Sequence, residues 1–502
     1  MHTETLHDLE QATLGRLLLE GAGARGHLKG CPDAAAPLGR IVADSRQIEP
    51  GDVFWALAGA NHEATSFVEE ALRRGAAGAV VPPDTQERLG DWPGLDAAAP
   101  GRPQFRWLLE VEDTYRALLQ WASWKRERFT GTLVAVAGGV GKTTARQMIH
   151  AVLASRLSGT ACPRNFNNHF GVPLNMLALR PAYDYAVLEL SAGPAGELSA
   201  LAGLFRPKVA VILPTGESRQ GGFGSRQTVG DATADLLATL PADGHAVLAD
   251  DPWLCAAAAR CAAPITWIGT SSRCHLRAVA LETAGGRLGF RVAMGEPSLS
   301  DEPAPGQIAA EGFSVPAWGR QHLAAALAAV ALGRMMGFDL TGIAAALANF
   351  QPLPTQCEVL EVRGATILHD ARGSGAAAMR DSLELLQDFD SSGRRIVVCG
   401  DVAEPGPQAA ALHWQLGKQI VELGGAALLI ACGPMARHVT AGARAAGMVR
   451  SRAIPCDAVD DALPYLGQAI LPGDVVLVKG SQGMELARVV DALGRYPQRR
   501  IA

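Results

Sequence analysis

The chain has 502 residues, 48% apolar and 19% charged, which excludes an intrinsically disordered protein and, at ~150 residues per domain, leaves room for about three domains. Its formal net charge is −5 and no basic tract stands out, so nucleic acid is not an expected partner. The nine cysteines are scattered without a CxxC pair, which argues against a cysteine-bound zinc or a dithiol motif.

The first fifteen residues are polar and acidic and do not read as a secretion signal. An odd cysteine count without such a signal fits reduced thiols in a cytosol. The most apolar run, residues 323–332, is Ala-rich, too short to span a bilayer and soon followed by Arg334. A soluble cytoplasmic protein is expected.

In chain order, residues 1–105 read as a small α/β domain. Ile41-Val42-Ala43-Asp44-Ser45-Arg46 is a short strand entering a polar turn, Pro50-Gly51-Asp52 a turn, and Val53-Phe54-Trp55-Ala56-Leu57 a buried strand. A helix over 67–74 and a strand at Ala79-Val80-Val81 follow. Residues 83–103, rich in Pro, Gly and Asp, form a loop.

The second unit, 106–315, opens with a helix over 115–124 and then the stretch that organises the chain. Val134 to Ala137 read as a buried strand, Gly138-Gly139-Val140-Gly141-Lys142-Thr143-Thr144 follows, and Met148, Ile149, Val152 and Leu153 then recur at helix spacing. Strand, glycine turn and helix form the context of a phosphate-binding loop. Glycines let the backbone approach phosphate oxygens, and the N–H groups of the new helix point at the anion. Lys142 would reach the outer phosphates and Thr143 would ligate Mg²⁺. The match is to the short GxxGK[ST] form, because Val136 stands five before Gly141. The competing reading is an ordinary βα turn with a solvated lysine.

Strands at 185–190, 209–213 and 246–248, with helices between them, argue for a mostly parallel sheet with its ligand edge at the strands' carboxyl ends. Glu189 sits at such an end and could hold Mg²⁺ beside the loop. A solvated strand-end glutamate is the alternative. The third unit, 316–502, has helices over 321–335 and 339–350, then apolar strands at 396–399, 428–431 and 475–478, which make a second, smaller Rossmann-like sheet. The fold class is therefore α/β: three domains, with a central P-loop parallel sheet.

These residues, taken together, resemble the Mur ligases, and within them the type that joins D-alanyl-D-alanine to UDP-N-acetylmuramoyl-tripeptide. The resemblance runs over nearly the whole chain: Asp44-Ser45-Arg46 with Pro50-Gly51-Asp52-Val53-Phe54; the glycine loop; Asn165-Phe166-Asn167-Asn168 into Gly171-Val172-Pro173-Leu174; Gly222-Phe223-Gly224-Ser225; Gly400-Asp401, Glu404, Gly406 and His413; and Lys479-Gly480-Ser481. It implies an ATP-dependent amide ligase of peptidoglycan precursor synthesis, whose first domain would hold the UDP-sugar and whose last would close to complete the site. It also implies ATP on Gly138, Gly139, Val140, Gly141, Lys142, Thr143 and Thr144, with Lys142 catalytic. Mg²⁺ would lie on Thr143 and Glu189, and UDP-linked substrate on Ser45, Asn167 and Asn168. A monomer is expected, with the muramoyl peptide and D-alanyl-D-alanine as its partners.

The resemblance breaks at polar positions. Arg219 stands where the family has a histidine that helps bind a second Mg²⁺, and Thr233 where it has a lysine that becomes carbamylated. The asparagine ahead of Asp250-Asp251 is missing, and Thr355-Gln356 replaces a Gly-Arg pair. The Asp-x-Tyr-Asn loop keeps only Asp370, and Gly319-Arg320 is followed by Gln321-His322 instead of His-Asn. These losses define the alternative: a catalytically impaired pseudo-ligase that binds nucleotide for regulation or scaffolding. A P-loop ATPase with an unrelated substrate is disfavoured by the stretch from Asn165 to Leu174. His169 reads as a loop histidine, His413 as either a packed or a solvent-facing residue or a substrate contact, and Trp253 and Trp267 as packing residues.

Overall fold

The computed structural model describes residues 4–19, 37–57, 64–89, 106–161, 167, 169–191, 196–215, 226–284, 286–295, 308–317, 319–352, 358–371, 376–389, 391–402 and 408–495. The chain forms two compact units, one of Met1–Gly131 with Cys162–Ala186, the other of Thr132–Ala161 with Val187–Ala502.

The first unit holds a five-stranded sheet of β1 (Arg16–Leu19), β2 (Ile41–Val42), β3 (Val53–Trp55), β4 (Gly78–Val81) and β5 (Trp107–Glu110), in the order β1-β5-β4-β3-β2. Only the β1/β5 pair is antiparallel. Strands β3 and β4 are buried on both faces, as apolar parallel strands under helices must be. Trp55 is wholly buried and its indole N–H donates to the Thr114 carbonyl at 2.8 Å, so the ring is packed without stranding its polar atom. The helix Thr114–Arg128 starts where Asp113 accepts the N–H groups of Tyr115 and Arg116.

The second unit carries two sheets. The larger has β6 (Thr132–Ala137), β7 (Gly159–Ala161), β8 (Tyr185–Glu189), β9 (Val209–Ile212), β10 (His245–Ala249), β11 (Ile265–Gly269), β12 (Leu276–Ala284), β13 (Arg287–Met294) and β14 (Ile308–Val315). Their order is β14-β13-β12-β11-β10-β9-β6-β8-β7. The run from β6 through β9, β10 and β11 to β12 is parallel, whereas β12, β13 and β14 form an antiparallel extension that the sequence reading did not contain. From β6 the chain moves outward to β7 and β8 on one side and then returns to β9 on the other. That reversal opens a crevice beyond the carboxyl end of β6. The helix Lys142–Leu153 follows β6 and packs along the helix Leu323–Met335, whose small alanine side chains are almost all buried.

The smaller sheet has β15 (Glu358–Val362), β16 (Ala365–Asp370), β17 (Arg395–Cys399), β18 (Leu428–Cys432), β19 (Ala453–Cys456) and β20 (Val475–Lys479), in the order β15-β16-β20-β17-β18-β19. Five strands are parallel, and β15 joins β16 through a two-residue hairpin with Arg363 and Gly364 at φ 58° and 77°. Core side chains fill both faces of this sheet. Among the described residues no helix is long and apolar enough to cross a membrane.

Candidate functional site

The glycine loop turns out of β6 against the exit of its neighbour β9. Gly138 has φ +126°, and a Cβ there would lie 2.6 Å from the Leu213 carbonyl oxygen, so only glycine fits. The Gly139 N–H donates to the Pro214 carbonyl at 2.9 Å, which hooks the loop onto that strand exit. Gly141, at φ +79°, is the N-cap of the helix Lys142–Leu153 and has no side chain to spend on the first-turn N–H groups. Lys142 Nζ lies across the loop and donates to the carbonyls of Gly138 and Gly139 at 2.9 and 3.0 Å. The result is a concave backbone at a helix N-terminus with an ammonium over it, which is chemistry for an anion of phosphate type.

The wall of this crevice is itself braced. Asp251 Oδ2 accepts both the N–H and the hydroxyl of Thr215, at 2.8 and 2.7 Å. Its Oδ1 accepts the Trp253 N–H at 2.9 Å and caps the helix Pro252–Ala258. The exits of β9 and β10 are thereby tied together behind the loop.

Thr143 and Glu189 meet beside the glycine loop. The Thr143 hydroxyl donates to Glu189 Oε2 at 3.0 Å, and both residues are buried. Glu189 is the last residue of β8, which places its carboxylate at the ligand edge of the sheet. Arg146, three residues after Thr143 on the same helix face, is only 3% exposed and brings Nε to 3.7 Å from that same oxygen. Sequence reasoning missed Arg146 in this group, although its helical spacing from Thr143 was the available signal. Thr143 and Glu189 form an oxygen-only donor pair, suited to a hard cation such as Mg²⁺.

The residues matched to substrate lie in the first unit. The Ser45 hydroxyl donates to Glu70 Oε2 at 3.0 Å and is buried. Asn167 is half-buried, and Asn168 lies outside the described residues. His169 is a turn residue whose carbonyl accepts the Tyr115 hydroxyl at 3.2 Å. Trp253 is 46% exposed.

In the second unit, Thr233 is buried on the helix Arg226–Ala238, while Arg219, residues 222–225, Thr355, Gln356, residues 372–375, Glu404 and Gly406 lie outside the described residues. Asp370 and Lys479 end the paired strands β16 and β20 and form an ion pair at 2.8 Å. The Ser382 hydroxyl donates to the same carboxylate oxygen at 2.9 Å. His322 is buried, its Nε2 has no hydrogen-bond partner among the described residues, and burial pushes its pKa down to about 4 against the pull of Asp370. His413 is packed: Nε2 accepts the Val402 N–H at 2.9 Å, and Nδ1 faces the Ala409 carbonyl at 2.7 Å. The Nε2 contact holds the chain after β17, while the Nδ1 contact stays within the helix Ala409–Glu422 that carries His413.

Known proteins match this chain in sequence and fold. Residues 136–333 match the Mur ligase middle domain, and residues 357–482 match the Mur ligase, glutamate ligase domain. The chain belongs to the Mur ligase family. Among its relatives, the UDP-N-acetylmuramoyl-tripeptide–D-alanyl-D-alanine ligase of Bacillus subtilis is 27% identical over 458 residues, covering 91% of this chain and 93% of that protein. The Escherichia coli ligase of the same name is 29% identical over 399 residues, covering 78% and 80%. The crystal structure of MurF from Acinetobacter baumannii shares the fold with a TM-score of 0.79 at 24% identity, over 98% of this chain and 100% of that one. In this Mur ligase the glycine loop, Thr143, Arg146, Glu189 and Asp251 all fall within the middle-domain match.

Proposed function

We propose that this Mur ligase joins D-alanyl-D-alanine to UDP-N-acetylmuramoyl-tripeptide at the expense of ATP, as a cytoplasmic monomer. The observation that carries the reading is the built phosphate cradle, Gly138 to Thr143 with Glu189, in a chain whose full-length relatives bear that activity in their names. Because those relatives are named as ligases, the catalytic reading stands ahead of the regulatory one.

The residues fit the nucleotide and the metal. The N-terminus of the helix Lys142–Leu153, which no side chain caps, offers first-turn N–H groups to a polyphosphate, and Thr143 with Glu189 would hold Mg²⁺. Bound there, Mg²⁺ supplies charge neutralisation at the phosphates. Lys142 moves from the loop carbonyls to the outer phosphate oxygens and lowers the cost of negative charge gathering there. The helix N-terminus orients the triphosphate for in-line attack by the tripeptide's carboxylate. Attack on the terminal phosphorus forms an acyl phosphate and releases ADP. The amine of D-alanyl-D-alanine then attacks the acyl carbon, phosphate leaves with the bonding pair, and the amine gives up its proton.

The test is ADP release by the purified protein with ATP, Mg²⁺ and each substrate alone or both together. Multiple-turnover release that requires both D-alanyl-D-alanine and the UDP-linked tripeptide is the expected result. Release independent of them, or none while ATP still binds, contradicts the reading.

A further inference from the structure

In the smaller sheet the adjacent strands β17, β18 and β19 each end in a cysteine: Cys399, Cys432 and Cys456. Cys432 and Cys456 are register partners across the parallel β18/β19 pair, so their side chains leave the sheet on one face. Both thiols are free and enter the same core, whereas Cys399 enters the core on the opposite face. Among the described residues the three thiols therefore do not converge as a metal-ligand set would. Neighbouring strands run about 4.8 Å apart, inside the Cα separation of about 4.4–6.8 Å that a disulfide spans. The Gly433 N–H donates to the Cys456 carbonyl at 2.9 Å and keeps the two strand ends together. The Cys432 S–H donates to the Cys456 sulfur, which holds the Cys456 thiol below its ordinary range. Giving that hydrogen bond, together with burial, pushes Cys432 up. The two also differ in access. Cys432 is 0% exposed, while Cys456 is 3% exposed, ends an edge strand and lies between the exposed Pro455 and Asp457.

We propose that Cys432 and Cys456 are a reversible oxidation site, closing to a disulfide that latches the edge strand β19 to β18, with a hydroperoxide as oxidant. The Cys456 thiolate attacks a peroxide oxygen. An S–O bond forms, the O–O bond breaks, and the departing hydroxide takes up a proton and leaves as water. Cys432 then gives up its proton and attacks the sulfenic sulfur of Cys456. An S–S bond forms, the S–O bond breaks, and the hydroxyl leaves with a proton as a second water. Two thiols are oxidised and one peroxide is reduced to two waters. An external dithiol reverses the change by thiol–disulfide exchange. The pair has no CxxC spacing because the register of two strands makes it, and in a reducing compartment its oxidised form is transient.

The experiment oxidises the folded full chain with hydrogen peroxide, alkylates the remaining thiols in denaturant and maps the peptides by mass spectrometry. The expected result is a linked peptide joining Cys432 to Cys456, lost when the oxidised protein is treated with dithiothreitol before mapping. Thermal unfolding should move to higher temperature in oxidised wild type and return with dithiothreitol, because the cross-link restrains the unfolded chain. That shift should be absent from Cys432→Ser. In the same variant, peroxide should leave Cys456 as a sulfenic acid that dimedone labels, whereas Cys456→Ser should show no such label on Cys432. If a serine variant does not fold, the alanine variant carries the same expectation, and the linked peptide in wild type is read without any variant. Recovery of both cysteines alkylated from peroxide-treated wild type overturns the proposal. So does conversion of Cys456 to its sulfinic acid with Cys432 alkylated and no linked peptide.

Discussion

The two sheets of the second unit each end a parallel strand in a buried carboxylate that accepts a hydroxyl and faces a cation, yet the two clusters are built differently. At the larger sheet, Glu189 accepts Thr143, and Arg146 stands 3.7 Å away. At the smaller sheet, Asp370 accepts Ser382, and Lys479 closes on it at 2.8 Å. The first sits beside a glycine turn whose backbone is left open at a helix N-terminus. The second is a closed ion pair between register partners of adjacent strands. The difference separates a place prepared to receive charge from a place where charge is already satisfied. It predicts that substitutions at the first should act on turnover and those at the second on stability.

The largest effect belongs to Lys142. Replacing it with Ala should lower substrate-dependent ADP release on the order of 10²–10³-fold, because a preorganised charge on the phosphates is lost. Its melting temperature should stay close to that of wild type, since the two loop carbonyls it holds can turn to water. A large drop in melting temperature would blur the comparison. Asp370→Ala should do the reverse. It removes the carboxylate paired with Lys479, which is 1% exposed, and should cost roughly 3–5 kcal/mol in denaturant unfolding. An Asp370→Leu/Lys479→Met double variant should recover most of that loss. If the single variant unfolds like wild type, the closed-pair account is wrong.

A smaller effect sharpens the same contrast through pH. His322 titrates at about 4 in the folded protein against an ordinary 6.5, because burial disfavours its charged form. Its folded pKa is depressed, so the unfolded chain binds the proton first as pH falls. The contribution of His322 is present above pH 6.5 and is lost between about 6.5 and 4, worth about 3 kcal/mol over that window. Unfolding free energies measured across it should show a shallower slope in His322→Gln. An unchanged slope would place the acid sensitivity elsewhere.

How much was legible follows from how local each feature is. The glycine loop was readable because strand, turn and helix are contiguous and each glycine has a local backbone reason. Glu189 was readable as a strand-end carboxylate, but its bond to Thr143 needed β8 to lie beside β6. Arg146 shares a helix face with Thr143, so its approach was visible in the spacing; its burial was not, because that depends on the packing around the helix. The Asp370–Lys479 pair depends on the register of β16 against β20, which lie far apart in sequence. The antiparallel β12–β14 extension was hidden by small residues such as Gly289, Ala293 and Gly312, which weaken the alternation that marks a strand. β5 was hidden for another reason: Trp107–Glu110 is four residues long and follows a Pro- and Gly-rich stretch. His413 kept three readings open in sequence. The Val402 N–H reaching its Nε2 leaves the packed one.

The most direct measurement of the central claim is mass spectrometry of the UDP-linked product. Purified protein is incubated with ATP, Mg²⁺, UDP-N-acetylmuramoyl-tripeptide and D-alanyl-D-alanine, beside Lys142→Ala. A product heavier than the tripeptide by one dipeptide less water, formed by wild type and nearly absent with the variant, is the predicted result. Unchanged tripeptide in a sample that demonstrably binds ATP would contradict the account.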